Sequence, residues 1–203
     1  MTEDFYYTIK DKAKGEYKEK GSKFIALAFP VETVEDAMRH VESVKKEYYD
    51  ARHHCYAYRI GFAGEQYRVN DDGEPSGTAG KPIYGQMLKN NLTNLIIIVV
   101  RYFGGTKLGI SGLIRAYKTA AADAIANADI EKRTIKTFFE ITFPYEKMNS
   151  VMHAIKEGDW EVIERDFDLE CKMTLAVRQS KEKINLEKIK KINKLKIKYL
   201  EKN

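Results

Sequence analysis

Residues 95–100 of this 203-residue chain read Leu-Ile-Ile-Ile-Val-Val, an uninterrupted apolar run of six residues, a length matched only by residues 24–29. Six residues cannot cross a bilayer, which takes about 20. The run therefore belongs inside a protein core, and its continuity predicts a strand over 94–102 that is buried on both faces. A chain with 43% hydrophobic residues, 13 Tyr and 9 Phe has the material to cover it, so wholesale disorder is excluded. The length predicts one large domain or two compact ones.

The segments around that strand predict a mixed α+β domain. Residues 6–9 and 17–31 read as extended. Thr33 is the expected N-cap of a helix over 34–48, with Asp36 at the capping-box position and Ala37, Val41 and Val44 as its apolar stripe. Residues 51–60 read as an aromatic-rich strand and 65–70 as its hairpin partner. Pro82 fits the first turn of a short helix ending near Lys89. After a Gly-rich turn, an Ala-rich helix is expected to run to about Asp129, with Ala116, Ala120, Ala121, Ala124 and Ala128 permitting close approach to a sheet.

The pattern changes near residues 132–134, which sets the expected boundary between domains 1–133 and 134–203. Phe139, Ile141 and Phe143 alternate as a strand, and Met148, Val151, Met152 and Ile155 mark a helix face. Residues 160–164 read as a second strand. Phe167, Leu169, Cys171, Met173, Leu175 and Val177 alternate as a third. Leu186, Ile189 and Ile192 mark another helix, and Leu195, Ile197 and Tyr199 a last strand. The order βαββαβ is the ferredoxin-like plan, in which the last strand lies at an edge and its alternating lysines protect it.

Net charge is +5, too modest for a histone-like binder, but it is unevenly spread. Residues 1–133 hold 20 basic and 18 acidic side chains, 134–170 hold 4 and 9, and 171–203 hold 11 and 3. The basic end can attract polyanions or simply be a solvated face. Cys55 and Cys171 form no ligand-spaced pair, and residues 1–10 lack an apolar signal core, so a reducing cytosol is the expected compartment, with no membrane partner.

Two Gly-rich strings lead from a strand into a helix, where backbone N–H groups and a positive helix end can meet an anion. The first is Asp71-Asp72-Gly73-Glu74-Pro75-Ser76-Gly77-Thr78-Ala79-Gly80-Lys81-Pro82. It is not a Walker loop, because Pro75 stands where that loop needs glycine and Pro82 where it needs Ser or Thr. Asp71, Asp72 and Glu74, with His54 nearby, leave room for a divalent cation, or else cap a turn. Gly73, Ser76, Gly77, Thr78, Gly80 and Lys81 complete this candidate acidic-loop site. His53 and His54 are strand neighbours pointing to opposite faces, which argues against zinc; only His53 and Cys55 share a face.

The second string surrounds Arg101, Tyr102, Gly104, Gly105, Lys107 and Gly109, with Arg115 on the following helix. Cations interleaved with the aromatic residues Tyr102 and Phe103 and with glycine suit phosphate contact and base stacking, unless one aromatic packs in the core and the glycines only make the turn. These seven residues are the candidate RNA-phosphate site. No residue of either string presents itself as a catalytic nucleophile.

At Ala51-Arg52-His53-His54-Cys55, at the 71–82 string and at 99–117 the sequence resembles the IMPACT/YigZ family, in motif order and in spacing. The resemblance implies an N-terminal domain like the ribosomal-protein fold that recurs as domain IV of elongation factor G. It also implies a C-terminal domain like that factor's last, ferredoxin-like domain. Eukaryotic relatives act in translational control through the activator of a stress kinase. The resemblance brings no catalytic residues with it. The expected function is binding of RNA or the ribosome to modulate translation. The alternatives are a metal-assisted enzyme acting on a small phosphorylated or peptide substrate, or a module docking a protein of the translation machinery.

Overall fold

The computed structural model describes residues 4–167 and 170–200. These residues form two compact units, one of them Tyr6–Arg133 and the other consisting of residues from 134 onward with the segment before Tyr6. Both mix helices with antiparallel sheets. No helix among the described residues is long and apolar enough to cross a membrane.

The larger unit is built on five strands in the order β2-β3-β6-β4-β5. They are β2 (Ala13–Glu19), β3 (Ser22–Pro30), β4 (His53–Ile60), β5 (Gln66–Asn70) and β6 (Leu95–Tyr102). Every neighbouring pair is antiparallel. β6 is central, and its apolar run divides by parity. Leu95, Ile97 and Val99 enter one core with α2 (Gly80–Lys89) and α3 (Gly109–Ala126); Ile96, Ile98 and Val100 enter a second with α1 (Val34–Glu47). A continuous apolar strand usually marks a parallel sheet; here helices on both faces cover an antiparallel one.

Thr33 caps α1 by accepting from the Asp36 N–H. The extended stretch expected over 17–31 is a hairpin that begins earlier, at Ala13, and turns at Lys20 and Gly21, both with positive φ. Residues 130–134, read only as a change of pattern, form β7 (Ile130–Thr134), paired with β1 (Phe5–Ile9) in a two-stranded sheet.

The smaller unit runs β8 (Lys136–Phe143), α4 (Met148–Glu157), β9 (Glu161–Phe167), β10 (Cys171–Arg178), α5 (Glu182–Ile189), β11 (Lys196–Leu200). Its strand order is β11-β8-β10-β9, which leaves β11 at an edge. Val151, Ile155, Leu186 and Ile189 of the helices join Phe139, Ile141, Phe143, Met173 and Leu175 in one core. The expected single strand through 167–177 is corrected to a hairpin, since Phe167 pairs with Cys171 across it. Register partners four residues apart share parity, so the alternation stays in phase through the reversal and hides it. Leu169 lies outside the described residues. Ile192, expected on the last helix, lies beyond α5 but still packs on its core.

Candidate functional site

Strand parity and register decide which site residues meet. His53 of β4 is the register partner of Arg101 on β6, and Cys55 is that of Val99. Arg101 and Cys55 face the α2–α3 core. Their neighbours face the other way: His54 is buried, with its Nε2 3.0 Å from the Tyr48 carbonyl, and Tyr102 packs on the α1 core. The Tyr102 hydroxyl donates to Asp50 at 2.7 Å. That hydrogen bond first, and burial second, push the phenol up to about 12. Tyr102 and His54 are thus brought to the opposite face of the sheet from Arg101.

The acidic loop is satisfied from within. Asp71 accepts from the Gly77 N–H at 2.8 Å, from Ala79 at 3.0 Å and from Gly80 at 2.8 Å, and so does the capping of α2 from eight residues upstream. Burial raises its carboxyl, but those three N–H groups and the Lys81 charge outweigh it and hold the group below its ordinary value. Asp72 accepts from the His54 N–H at 2.7 Å and from Lys45 at 3.3 Å, and its carbonyl lies 2.8 Å from His53 Nδ1. The Thr78 hydroxyl donates to the Pro75 carbonyl at 2.7 Å. Gly73 and Gly77 have positive φ. Gly80 sits against Asn70, Ser76 and Lys81 are exposed.

Glu74 ties this loop to β6. Its side chain is 4% exposed, and its Oε1 accepts from Arg101 at 2.6 Å and from the Tyr117 hydroxyl at 2.8 Å. Tyr117 in turn accepts from the Cys55 thiol at 3.3 Å. Burial drives the Cys55 thiol and the Tyr117 phenol well above their ordinary values, so both stay protonated donors. Among the described residues no cluster of three or more His, Cys, Asp or Glu has an arrangement that could hold a metal ion.

The second loop is arranged differently. Gly104 approaches Gly21 so closely that a Cβ would lie 1.9 Å from the Gly21 carbonyl carbon; no other residue fits. Its N–H donates to Ser22 Oγ at 3.1 Å, which pins the loop to the β2–β3 hairpin. Beyond it, Gly105 and Gly109 border open space and Lys107 is exposed. α3 begins there with Leu108 at its N-cap, no side-chain cap and no acidic residue in its first turn. A pocket of about 440 Å³ opens between the two loops. Arg52 and Lys107 bring positive charge to it, Phe103, Ile110 and Leu113 are apolar walls, and Arg101 and Glu74 also line it.

The structure therefore gathers Arg101, Lys107 and Gly109 around one pocket, and Gly104 and Gly105 build the loop beside it. Arg101 is not an open phosphate contact but half of a buried ion pair. Arg115, exposed on α3, pairs with Glu19, which holds its guanidinium charged. Arg52, which precedes the His53-His54-Cys55 run, is a pocket cation that no sequence pattern singles out. Of the two aromatic residues expected at this loop, Phe103, 53% exposed, is the open surface, and Tyr102 packs on the core. Period-2 alternation from the buried run carries the signal that tells the two apart: Tyr102 falls in phase with Val100.

A mixed α+β protein of two units, with a cationic pocket between Gly-rich strand–helix loops, is the class these features define. The Impact N-terminal domain model matches residues 20–125, the segment that contains both loops. The chain is 33% identical to IMPACT family member YigZ of Escherichia coli over 80% of this chain and 80% of that protein. It is likewise 33% identical to IMPACT family member YvyE of Bacillus subtilis, over 76% and 71% respectively. A solved structure described as a crystal structure of a hypothetical protein superimposes with a TM-score of 0.72 at 28% identity, covering 98% of this chain and 99% of that one. The chain belongs to the IMPACT family.

Proposed function

We propose that this protein binds RNA, free or in the ribosome, and modulates translation from the cytoplasm. One observation carries the reading. Arg52 and Lys107 flank the uncapped start of α3 in a pocket with no compensating acidic residue other than the already paired Glu74. Backbone N–H groups, a helix dipole and exposed cations together form a surface for phosphate oxygens. The order βαββαβ with strands β11-β8-β10-β9 supports a ferredoxin-like fold for the smaller unit. On this reading the larger unit takes the domain IV-like fold of elongation factor G that the family resemblance implies, a pairing of domains suited to a ribosomal ligand.

The test is co-sedimentation of the purified full chain with ribosomes and with total RNA across a salt series. Phosphate-led binding releases counterions, so the bound fraction should fall steeply between roughly 50 and 200 mM salt. A chain that stays in the supernatant at the lowest salt, with both ribosomes and RNA, ends this reading.

A further inference from the structure

The pocket beside Phe103 has a shape and chemistry more specific than a phosphate-binding surface needs. The Arg101 guanidinium carbon lies 5.5 Å from the Phe24 ring centroid and 5.6 Å from that of Phe103. Cation and rings thus alternate in a short stack from the core outward. Phe24 is fully buried at its inner end, and Phe103 ends the stack in the pocket wall, half open to solvent. Arg101 itself is 6% exposed, and its Nε is a buried side-chain donor with no partner among the described residues. Glu74 answers only the Nη1 side of the guanidinium. Arg101 lines the pocket, so an anion seated there gains from this incompletely answered cation. Around that floor stand Arg52, Lys107 and the uncapped α3 terminus, and the remaining walls at Pro75, Leu108 and Ile110 are apolar.

An inorganic phosphate leaves the apolar walls unused. A duplex backbone presents phosphates but keeps its bases stacked inside. An unpaired nucleotide uses every part: its base has a π-face for Phe103, and its phosphate meets Lys107 and Arg52. The volume, about 440 Å³, lies within the range of small-ligand sites. We infer that this pocket seats one unpaired nucleotide of single-stranded RNA, with the base stacked on Phe103 and the phosphate at Lys107 and the start of α3. The inference rests on the RNA-binding reading and narrows it to single strands. A free nucleoside monophosphate has the same chemistry.

Fluorescence anisotropy with the full chain tests it, using a labelled single-stranded oligoadenylate, the same strand in duplex, and calorimetry with adenosine 5′-monophosphate and with inorganic phosphate. The single strand should bind at least several-fold tighter than the duplex. Phe103→Ala should weaken the single strand by roughly five- to a hundred-fold, the worth of one base–aromatic stack, and leave duplex binding unchanged. Phe103→Trp should restore it and Phe103→Leu should not, since only the former stacks. Phe103 is exposed, so these variants keep the fold, and thermal melts check that. Saturable monophosphate binding that Phe103→Ala abolishes, without RNA binding, retains the pocket ligand and identifies the free nucleotide as its source. Equal affinity for duplex and single strand overturns the inference but leaves general RNA binding standing. Full affinity in Phe103→Leu also overturns it, because leucine cannot stack on a base. Absence of binding to RNA and to monophosphate alike ends both readings.

Discussion

The two Gly-rich loops are built on the same plan and have opposite fates. Each leaves a strand, turns through positive-φ glycines and enters a helix. In the 71–78 loop the charges face inward. Asp71 caps its own helix, Asp72 fastens β4, and Glu74 neutralises Arg101. In the 103–108 loop Gly104 is fastened by its backbone hydrogen bond, and Lys107 and the helix start stay open. Glycine content and helix position do not separate a structural loop from a binding one. The ownership of the polar groups does. An acidic side chain placed before a helix takes the N–H groups an external anion would need, whereas a basic one leaves them free.

The largest effect should come from cutting the tie between the loops. Arg101 and Glu74 are buried at 7% and 4% side-chain exposure, so removing either strands a charge in the core. Glu74→Ala or Arg101→Ala should each lose about 3–5 kcal/mol, read from the urea midpoint of the full chain. Replacing both together by Glu74→Leu and Arg101→Met should cost less than either alone, because no uncompensated charge remains. A single variant that unfolds at the parent's midpoint would show that the loops stand independently.

A smaller effect is expected inside the acidic loop. Asp71→Ala leaves the N–H groups of Gly77, Ala79 and Gly80 without their acceptor, a loss of about 1–3 kcal/mol. The sign of its pH dependence follows from the lowered carboxyl. The unfolded chain's Asp titrates near 3.9, so the contribution is whole above about pH 4 and disappears as pH falls through the lower folded value. Below about pH 4 the parent should therefore lose stability more steeply than Asp71→Asn, which carries no such charge. Parallel acid melts check this. Matching slopes would mean that the loop is held by its backbone alone.

The contrast between the loops was only half legible in the sequence. The apolar run gave away its strand, and its parity gives away which side chains share a face: Arg101 belongs with Val99, and Tyr102 with Val100. What stays hidden is the identity of a partner far away in the chain. An Arg leaving a buried strand is expected to tie the two loops through Asp71 or Asp72, but Arg101 meets Glu74, across 27 residues, and Arg115 meets Glu19 across 96. Periodicity is blind to both, because no local pattern specifies which acid a buried base will find. The same limit concealed the β9–β10 hairpin, whose Phe167 and Cys171 keep one phase on both sides of the turn. Arg52 was hidden for another reason. It stands just before β4 in a run that invited a metal reading, and only the fold carries it to the pocket beside Lys107.

The smallest change in stability should accompany a clear change in binding. Lys107 and Lys81 are both exposed lysines, one on each loop side of the pocket-forming region. Neither is buried, so Lys107→Ala and Lys81→Ala should each leave the urea midpoint within about 0.5 kcal/mol of the parent. Their effects on RNA should differ. Lys81 contributes to the field that holds Asp71 ionised, so its charge is partly answered within the protein. Lys107 lines the pocket beside an uncapped helix start, with no acidic first turn to answer it. Lys107→Ala should therefore weaken RNA binding and reduce the slope of log affinity against log salt by about 1, as one lost phosphate contact does. Lys81→Ala should keep both the affinity and the slope. The loss should be similar for RNAs of different sequence, because a phosphate contact positions the chain without reading bases. Equal slopes for the parent and both variants would place the phosphate contacts elsewhere, and the lysine-rich edge strand β11 would be the next surface to substitute.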